Sequence, residues 1–135
     1  MKSRQLFSIA ALLIVAFGST ANALDCDNAQ NQQEMNRCVA QHYQGLDLQL
    51  NAVWAGLKAC LSGEQAQWDR LVRVQKGWIR LKERQCTYEA DNDWGGFEED
   101  SLRGSGWPLG YYGCMSQMTE ERTVWLSEQF QRNCQ

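Results

Sequence analysis

The sequence predicts an all-α fold: a small disulfide-linked domain with two long antiparallel helices, a shorter C-terminal helix and a long loop rich in glycine and aromatic residues. Three observations predict this fold. Apolar residues recur at steps of three and four over most of the chain, no proline interrupts these stretches, and six cysteines form an even set. The one proline, Pro108, lies within the glycine-rich loop.

The first 23 residues have the pattern of a secretory signal peptide. Lys2 and Arg4 precede an apolar run over 6–17, and Ala-Asn-Ala at 21–23 matches a cleavage site. The run is too short to span a bilayer. We therefore expect cleavage after residue 23, export of residues 24–135 to the periplasm or beyond, and no stable membrane insertion of the mature domain.

The charge of the predicted mature domain excludes some classes of partner and favours another. The chain has 13 basic and 16 acidic residues, and two of the basic ones lie in the leader, which leaves 11 against 16 and a net charge of −5. An acidic domain is poorly suited to bind nucleic acid and well suited to bind a cationic protein. Its length fits a single domain with one core.

The two long helices follow from apolar stripes and a clear break between them. Asn31 is the expected N-cap of the first helix, in a capping box closed by Glu34, and the stripe continues to Leu61. Ser62-Gly63 breaks the pattern, and Ser62 is the expected N-cap of the second helix. That helix is predicted to end at about Tyr88.

A loop over 91–113 and a third helix complete the predicted fold. The loop holds six of the eleven glycines and exceeds the usual length of a connection, which favours either a function or a short helix of its own. The third helix is predicted from Thr119, as its N-cap, to Asn133.

Acidic and aromatic side chains in the loop are the candidate partner-binding residues. They are Asp91, Asp93, Trp94, Phe97, Glu98, Glu99, Asp100 and Trp107. The acids would attract a cationic protein, and the aromatic rings would anchor it. The alternative is a solvated connecting loop. A calcium site is a further alternative, because Asp91 and Asp93 have a D-x-D spacing, but the rest of an EF-hand pattern does not follow.

Helix geometry favours three particular disulfides in the oxidising compartment that export implies. The expected pairs are Cys26–Cys38, Cys86–Cys114 and Cys60–Cys134. A third helix anchored by Cys86–Cys114 is long enough to bring Cys134 back to Cys60 at the turn between the first two helices. A Cys38–Cys86 bond is also within reach, so the pairing of the first cysteine stays open. Asp25 directly before Cys26 disfavours lipid attachment there.

Polar residues on the helices are expected to fix helix register inside the domain. They are Asn36, Asp47, Asn51, Gln75, Lys82 and Arg122, with an ion pair expected between Asp47 and either Lys82 or Arg122. Catalysis is not expected, because His42 is the one histidine and every cysteine is assigned to a disulfide. We likewise expect no metal site and no cofactor.

Three ordered blocks of residues resemble the LprI-like lysozyme inhibitor family. The blocks are Cys26 with Glu34-Met35-Asn36-x-Cys38, Tyr43, Asp47 and Leu50-Asn51; Gln75-x-x-Trp78-Ile79 with Lys82 and Cys86; and Gly95-Gly96 with Cys114-x-x-x-Met118-Thr119-x-x-Arg122-x-x-x-Leu126. The chain departs from the family pattern in having lysine at 82 instead of arginine, Phe97 after the glycine pair, and Cys60 and Cys134 in addition to four family cysteines.

The resemblance implies a helical domain that inhibits lysozyme by protein–protein binding without catalysis. Two alternatives stay open on the sequence alone. One is a periplasmic protein of envelope interaction or envelope stress that binds another partner. The other is a module that binds peptidoglycan or sugar through Trp94 and Trp107. The sequence leaves the oligomeric state open.

Overall fold

The computed structural model describes residues 26–97 and 102–135. Within these ranges the chain forms three long α-helices, two short 3-10 turns and no strand. The helices are α1 (Gln32–Cys60), α2 (Gln65–Trp94) and α3 (Trp107–Cys134), and the 3-10 turns are Cys26–Asn28 and Leu61–Gly63. No helix in the described ranges is long and apolar enough to cross a membrane. The predicted signal peptide lies outside these ranges, as do Glu98, Glu99 and Asp100.

The start of α1 confirms Asn31 as the N-cap. Asn31 Oδ1 accepts a hydrogen bond from the backbone N–H of Glu34 at 2.9 Å. The Glu34 carboxylate reaches back one residue further than a standard capping box and accepts from the N–H of Gln30 at 2.8 Å. Ser62 was predicted as the N-cap of the second helix, but it lies within a 3-10 turn, and α2 begins after Glu64.

The predicted ends of the loop were wrong on both sides. α2 continues past Tyr88 to Trp94, and α3 begins at Trp107, so the loop is confined to 95–106. Pro108 lies in the first turn of α3, where its missing N–H costs no helical hydrogen bond. Thr119 is fully buried in the middle of α3 and caps nothing. α3 is the shortest of the three helices, as predicted, but with 28 residues against 29 in α1 and 30 in α2 it is much longer than the predicted helix over 119–133.

α3 holds the domain together by packing against both other helices. The most extensive helix contacts join α1 to α3 and α2 to α3, whereas α1 and α2 contact each other little along their backbones. The core lies on α3, where Leu126 is fully buried with Leu57 of α1, next to Leu50 and Leu61. Side-chain contacts between α1 and α2 join Trp54 to Trp68 and Tyr43 to Lys82.

Three disulfides fix the helix ends to one another. The bonds are Cys26–Cys38, Cys60–Cys134 and Cys86–Cys114, with Cα–Cα distances of 5.8, 5.8 and 5.4 Å, and no cysteine is free. These are the same three pairs that the helix geometry favoured. Two of them hold α3, one to the end of α1 and one to the last part of α2, so both ends of the central packing element are covalently fixed.

The Cys60–Cys134 bond is expected to contribute more stability than the Cys26–Cys38 bond. It joins residues 74 apart in the chain, against 12 for Cys26–Cys38, so it removes more conformational entropy from the unfolded chain. Replacing both cysteines of the long-range pair by serine should lower the free energy of unfolding by about 1.5 kcal/mol more than the same change at the short-range pair. Chemical denaturation of the two double variants measures this difference, and equal losses would contradict the prediction.

Candidate partner-binding site at the α2–α3 loop

Asp91 closes the base of the loop. It lies in the last turn of α2, where only 9% of it is exposed. Its Oδ1 accepts a hydrogen bond from Trp107 Nε1 at 2.7 Å and an ion-paired hydrogen bond from Arg103 Nε at 3.2 Å. One carboxylate therefore joins the end of α2, the loop and the start of α3. Asp91 was predicted to contact a partner, but the structure uses its carboxylate within the protein.

The ring of Trp94 supports the second half of the loop. A Cβ atom added at Gly106 or Gly110 would overlap this ring, and one added at Gly104 would lie 2.9 Å from the Trp94 carbonyl oxygen. The same carbonyl accepts a hydrogen bond from the N–H of Gly104 at 2.7 Å. Glycine is required here because the backbone of the loop and of early α3 lies directly against the indole.

Gly95 and Gly96 turn the chain away from α2. Both have positive φ angles, 82° and 130°, which are strained for any residue with a side chain. The N–H of Gly95 bonds to the carbonyl of Asp91 at 2.9 Å and ends the helix. The glycine pair that the family resemblance singled out therefore forms the helix-terminating turn.

Trp107 uses its ring and its N–H within the protein. Its ring stacks on Tyr111 with 4.8 Å between centroids and 14° between planes, and the guanidinium of Arg103 lies 3.9 Å from its ring centroid. Tyr111 in turn contacts Tyr112, whose ring lies 5.8 Å from that of Tyr43 on α1. Arg103 was missed by the sequence reasoning, although it is the one basic residue of the predicted loop.

Three exposed apolar residues lie on the outside of this end. Tyr88 and Phe97 are 63% and 60% exposed and contact each other edge to face, with 5.7 Å between ring centroids. Leu102 is 93% exposed, and its carbonyl lies beside Gly95. We call Tyr88, Phe97 and Leu102 the loop-end patch. A shallow groove of about 400 Å³, lined by Tyr88, Phe97 and Arg84 among others, runs beside it.

The remaining predicted loop residues fall into two groups. Asp93 is exposed at the end of α2 and accepts a hydrogen bond from Asn92. Glu98, Glu99 and Asp100 lie outside the described residues, directly between Phe97 and Leu102 in the chain. Within the described ranges no group of three or more His, Cys, Asp or Glu residues is arranged to hold a metal ion.

The predicted polar core is only partly buried, and its expected ion pair is absent. Gln75 is buried and accepts a hydrogen bond from Arg122 Nε at 2.9 Å. Asp47 instead accepts from the exposed Asn51, and the described residues form no ion pair between Asp47 and Lys82 or Arg122. The predicted ion pair does not form, because Asn51, one turn further along α1, donates a hydrogen bond to the carboxylate of Asp47.

Asn36 joins the start of α1 to the loop. Its Nδ2 donates to the carbonyl of Ser105 at 2.7 Å, and its Oδ1 accepts from Gln32 Nε2 at 2.8 Å. Asn36 is therefore a structural residue at the loop end of the domain, half-buried instead of enclosed in the core.

Lys82 is buried, and its hydrogen-bond partners are uncharged. Its Nζ donates to Tyr43 Oη at 3.2 Å and to Thr119 Oγ1 at 3.4 Å, and it lies over the rings of Tyr43 and Trp78. Burial lowers the pKa of Lys82 below its usual value, although the charge of Asp47 opposes the shift. Burial also raises the pKa of Tyr43 to about 12. The roles of Tyr43 and Thr119 were not predicted from the sequence. They lie 39 and 37 positions from Lys82 in the chain, so no local pattern connects them to it.

Comparison with known proteins assigns the chain to a family. The family model described as Lysozyme inhibitor LprI matches residues 26–126, so the chain belongs to this family. It is also similar to the uncharacterized protein R02472 of Rhizobium meliloti (strain 1021), with 27% identity over 115 residues that cover 77% of each chain. No solved structure matches the chain.

Gly106→Ala should destabilise the protein, because the new methyl group would overlap the Trp94 ring. We expect a loss of about 1–3 kcal/mol in the free energy of unfolding. Gly77→Ala is the matched control: nothing lies within 4 Å of its added Cβ on α2, and it should stabilise the helix by about 0.5–1 kcal/mol. Denaturant titration measures both, and a neutral Gly106→Ala variant would contradict the packing described for Trp94.

Burial of Lys82 should make the stability of the protein depend on pH. Its folded pKa is lower than its unfolded pKa, so the unfolded chain binds more protons between the two values and the free energy of unfolding rises with pH there. Relative to Lys82→Met, the wild type should therefore gain stability as the pH rises from neutral towards 10.5, the usual pKa of a lysine. Denaturant titrations of both proteins across this range measure the gain. A difference that stays constant or falls would contradict it.

Proposed function

We propose that the protein inhibits lysozyme by binding it through the loop-end patch, without catalysis of its own, after export from the cytoplasm. Membership of the Lysozyme inhibitor LprI family supports lysozyme as the partner. The observation that carries the binding mode is the cluster of exposed apolar side chains around Tyr88 and Phe97. The predicted signal peptide supports export to the compartment where lysozyme acts.

The loop-end patch has the features of a protein-binding centre. Aromatic side chains provide large contact area at a low cost in conformational entropy, and a few of them carry most of the energy of an interface. Tyr88 stands on the rigid last turns of α2, and Phe97 follows a helix end that is fixed by Asp91 and the two glycines. A pre-ordered patch loses little freedom on binding.

Acidic residues next to the patch suit a cationic partner. Glu98, Glu99 and Asp100 follow Phe97 directly in the chain, and Asp93 is exposed nearby on α2. Exposed carboxylates in general speed the encounter with a positively charged protein more than they strengthen the final contact. The net charge of −5 expected for the mature domain, with 11 basic and 16 acidic residues, acts in the same direction.

The geometry favours a protein partner over the sugar-binding alternative at Trp94 and Trp107. Trp94 lies against the glycines of the loop, and the ring of Trp107 contacts both Tyr111 and Arg103. Trp94 is 38% exposed, less than Tyr88 and Phe97, which are 63% and 60% exposed and meet edge to face.

A Tyr88→Ser/Phe97→Ser double variant should lose inhibition. The mature wild-type protein is expected to slow the lysis of a bacterial cell suspension by chicken-type lysozyme, and the double variant should bind at least about tenfold more weakly. Val124→Ser is the control, because Val124 is 61% exposed on α3 and outside the patch. It should inhibit like the wild type.

Two results would contradict the proposal at different levels. A wild-type protein that inhibits no lysozyme of several types would remove lysozyme as the partner and favour an envelope protein with another target. A double variant that inhibits fully would keep lysozyme as the partner and move the binding site away from the loop-end patch.

Neutralising Glu98, Glu99 and Asp100 together, as Gln, Gln and Asn, should slow association several-fold and reduce its dependence on salt. The matched control neutralises Glu120, Glu121 and Glu128 on α3, which changes the net charge equally at a different surface. Association rates measured at low and at physiological salt compare the two variants. Equal effects would show that net charge, and not the position of the acids, guides the encounter.

A further inference from the structure

A cleft separates α1 from α2 on the side that α3 leaves open. Its volume is about 490 Å³, which is within the range of sites for small molecules. Four aromatic side chains line it: Tyr43 and Trp54 from α1, and Trp68 and Trp78 from α2. The rings of Trp54 and Trp68 lie 4.7 Å apart between centroids, so these two residues form a continuous aromatic part of the lining.

Lys82 also lines this cleft, and within the described residues it forms no ion pair. Only 4% of the residue is exposed, and its two hydrogen-bond partners, Tyr43 Oη and Thr119 Oγ1, are uncharged. An ammonium group has three donors, so these contacts leave one without an oxygen of the protein. Buried charges are normally paired, because an unpaired one costs several kcal/mol of lost hydration.

The carboxylates of the cleft do not supply the missing partner. Asp47 and Glu83 line it, but neither forms an ion pair with Lys82 in the part of the chain that the structure describes. Asp47 is held by Asn51 at 3.1 Å instead. Lys58 and Lys76 also line the cleft, which gives three cations against two carboxylates, whereas the whole chain has 13 basic and 16 acidic residues. The cleft is therefore locally richer in positive charge than the rest of the chain.

The combination of rings and an unpaired ammonium defines the chemistry of a ligand. Flat apolar faces next to a few polar groups are typical of sites for small ring-shaped molecules. A carboxylate would supply the oxygen that the Lys82 ammonium lacks and would form a charge-assisted hydrogen bond there. Asn51 and Gln75 add amide groups to the lining that can bond to hydroxyl or amide groups of such a ligand.

We propose that the cleft between α1 and α2 binds a small carboxylate ligand with a flat ring face, with the carboxylate on Lys82 and the ring against Trp54 and Trp68. An acidic sugar and an aromatic acid share this chemistry. The site lies outside the loop-end patch, so it adds a second binding activity that does not depend on lysozyme.

The test is a titration of the mature wild-type protein followed through the indole N–H signals of its tryptophans by NMR. The probes are N-acetylmuramic acid as the acidic sugar and benzoate as the aromatic acid. The methyl ester of each acid is its neutral counterpart. At least one acid should bind saturably, and its neutral counterpart should bind at least about tenfold more weakly. Whichever acid binds identifies the source of the ligand.

Protein variants test the role of Lys82 independently. Lys82→Met, checked for folding by circular dichroism, should weaken binding of the acid at least about tenfold, whereas Lys76→Met, which removes an exposed cation from the same lining, should change it less than about threefold. The comparison of acids with neutral probes uses the wild-type protein alone, so it stays valid even if Lys82→Met does not fold. Absence of saturable binding of either acid, or equal binding of an acid and its ester, would overturn the proposal.

Discussion

The structure depends on the packing of α3 between the other two helices. α1 and α2 touch each other little along their backbones, so their relative position is fixed by the third helix and by the bonds Cys60–Cys134 and Cys86–Cys114 that hold its two ends. This arrangement has two consequences for function. Because α1 and α2 do not close on each other, a cleft with Lys82 in its lining stays open between them. Because the first turns of α3 are fixed against the end of α2, the loop between them has a defined base.

The carboxylate of Asp91 belongs to the internal structure of this loop. Asp91 is enclosed, with Arg103 and the Trp107 indole N–H as partners, and a buried carboxylate with two such donors stabilises the loop instead of attracting a distant protein. Phe97 and Leu102 flank Glu98, Glu99 and Asp100 in the sequence, and both are exposed. An exposed apolar patch with acidic residues next to it in the sequence is what we expect of a site that a cationic partner covers.

The sequence predicted the helical class, the N-cap at Asn31, and the existence and order of the long helices, because these depend on local periodicity and capping. It failed where tertiary contacts override local preference. Glycines at 104, 106 and 110 and a proline at 108 indicate a loop by propensity, yet the close approach of the backbone to the Trp94 ring needs glycine and α3 begins among these residues. The environment of Lys82 could not be predicted either, because Tyr43 and Thr119 come from the other two helices.

The central claim is that lysozyme is bound at the loop-end patch. Hydrogen–deuterium exchange of the mature protein, measured with and without saturating lysozyme, tests it most directly because it reports where the partner lies without any substitution. The account predicts slower exchange in the last turns of α2 around Tyr88 and in the loop over 95–106, with little change in the middle of α1. Protection found only on parts of the helices distant from this loop would contradict it. So would a lack of protection under conditions in which the protein inhibits lysozyme.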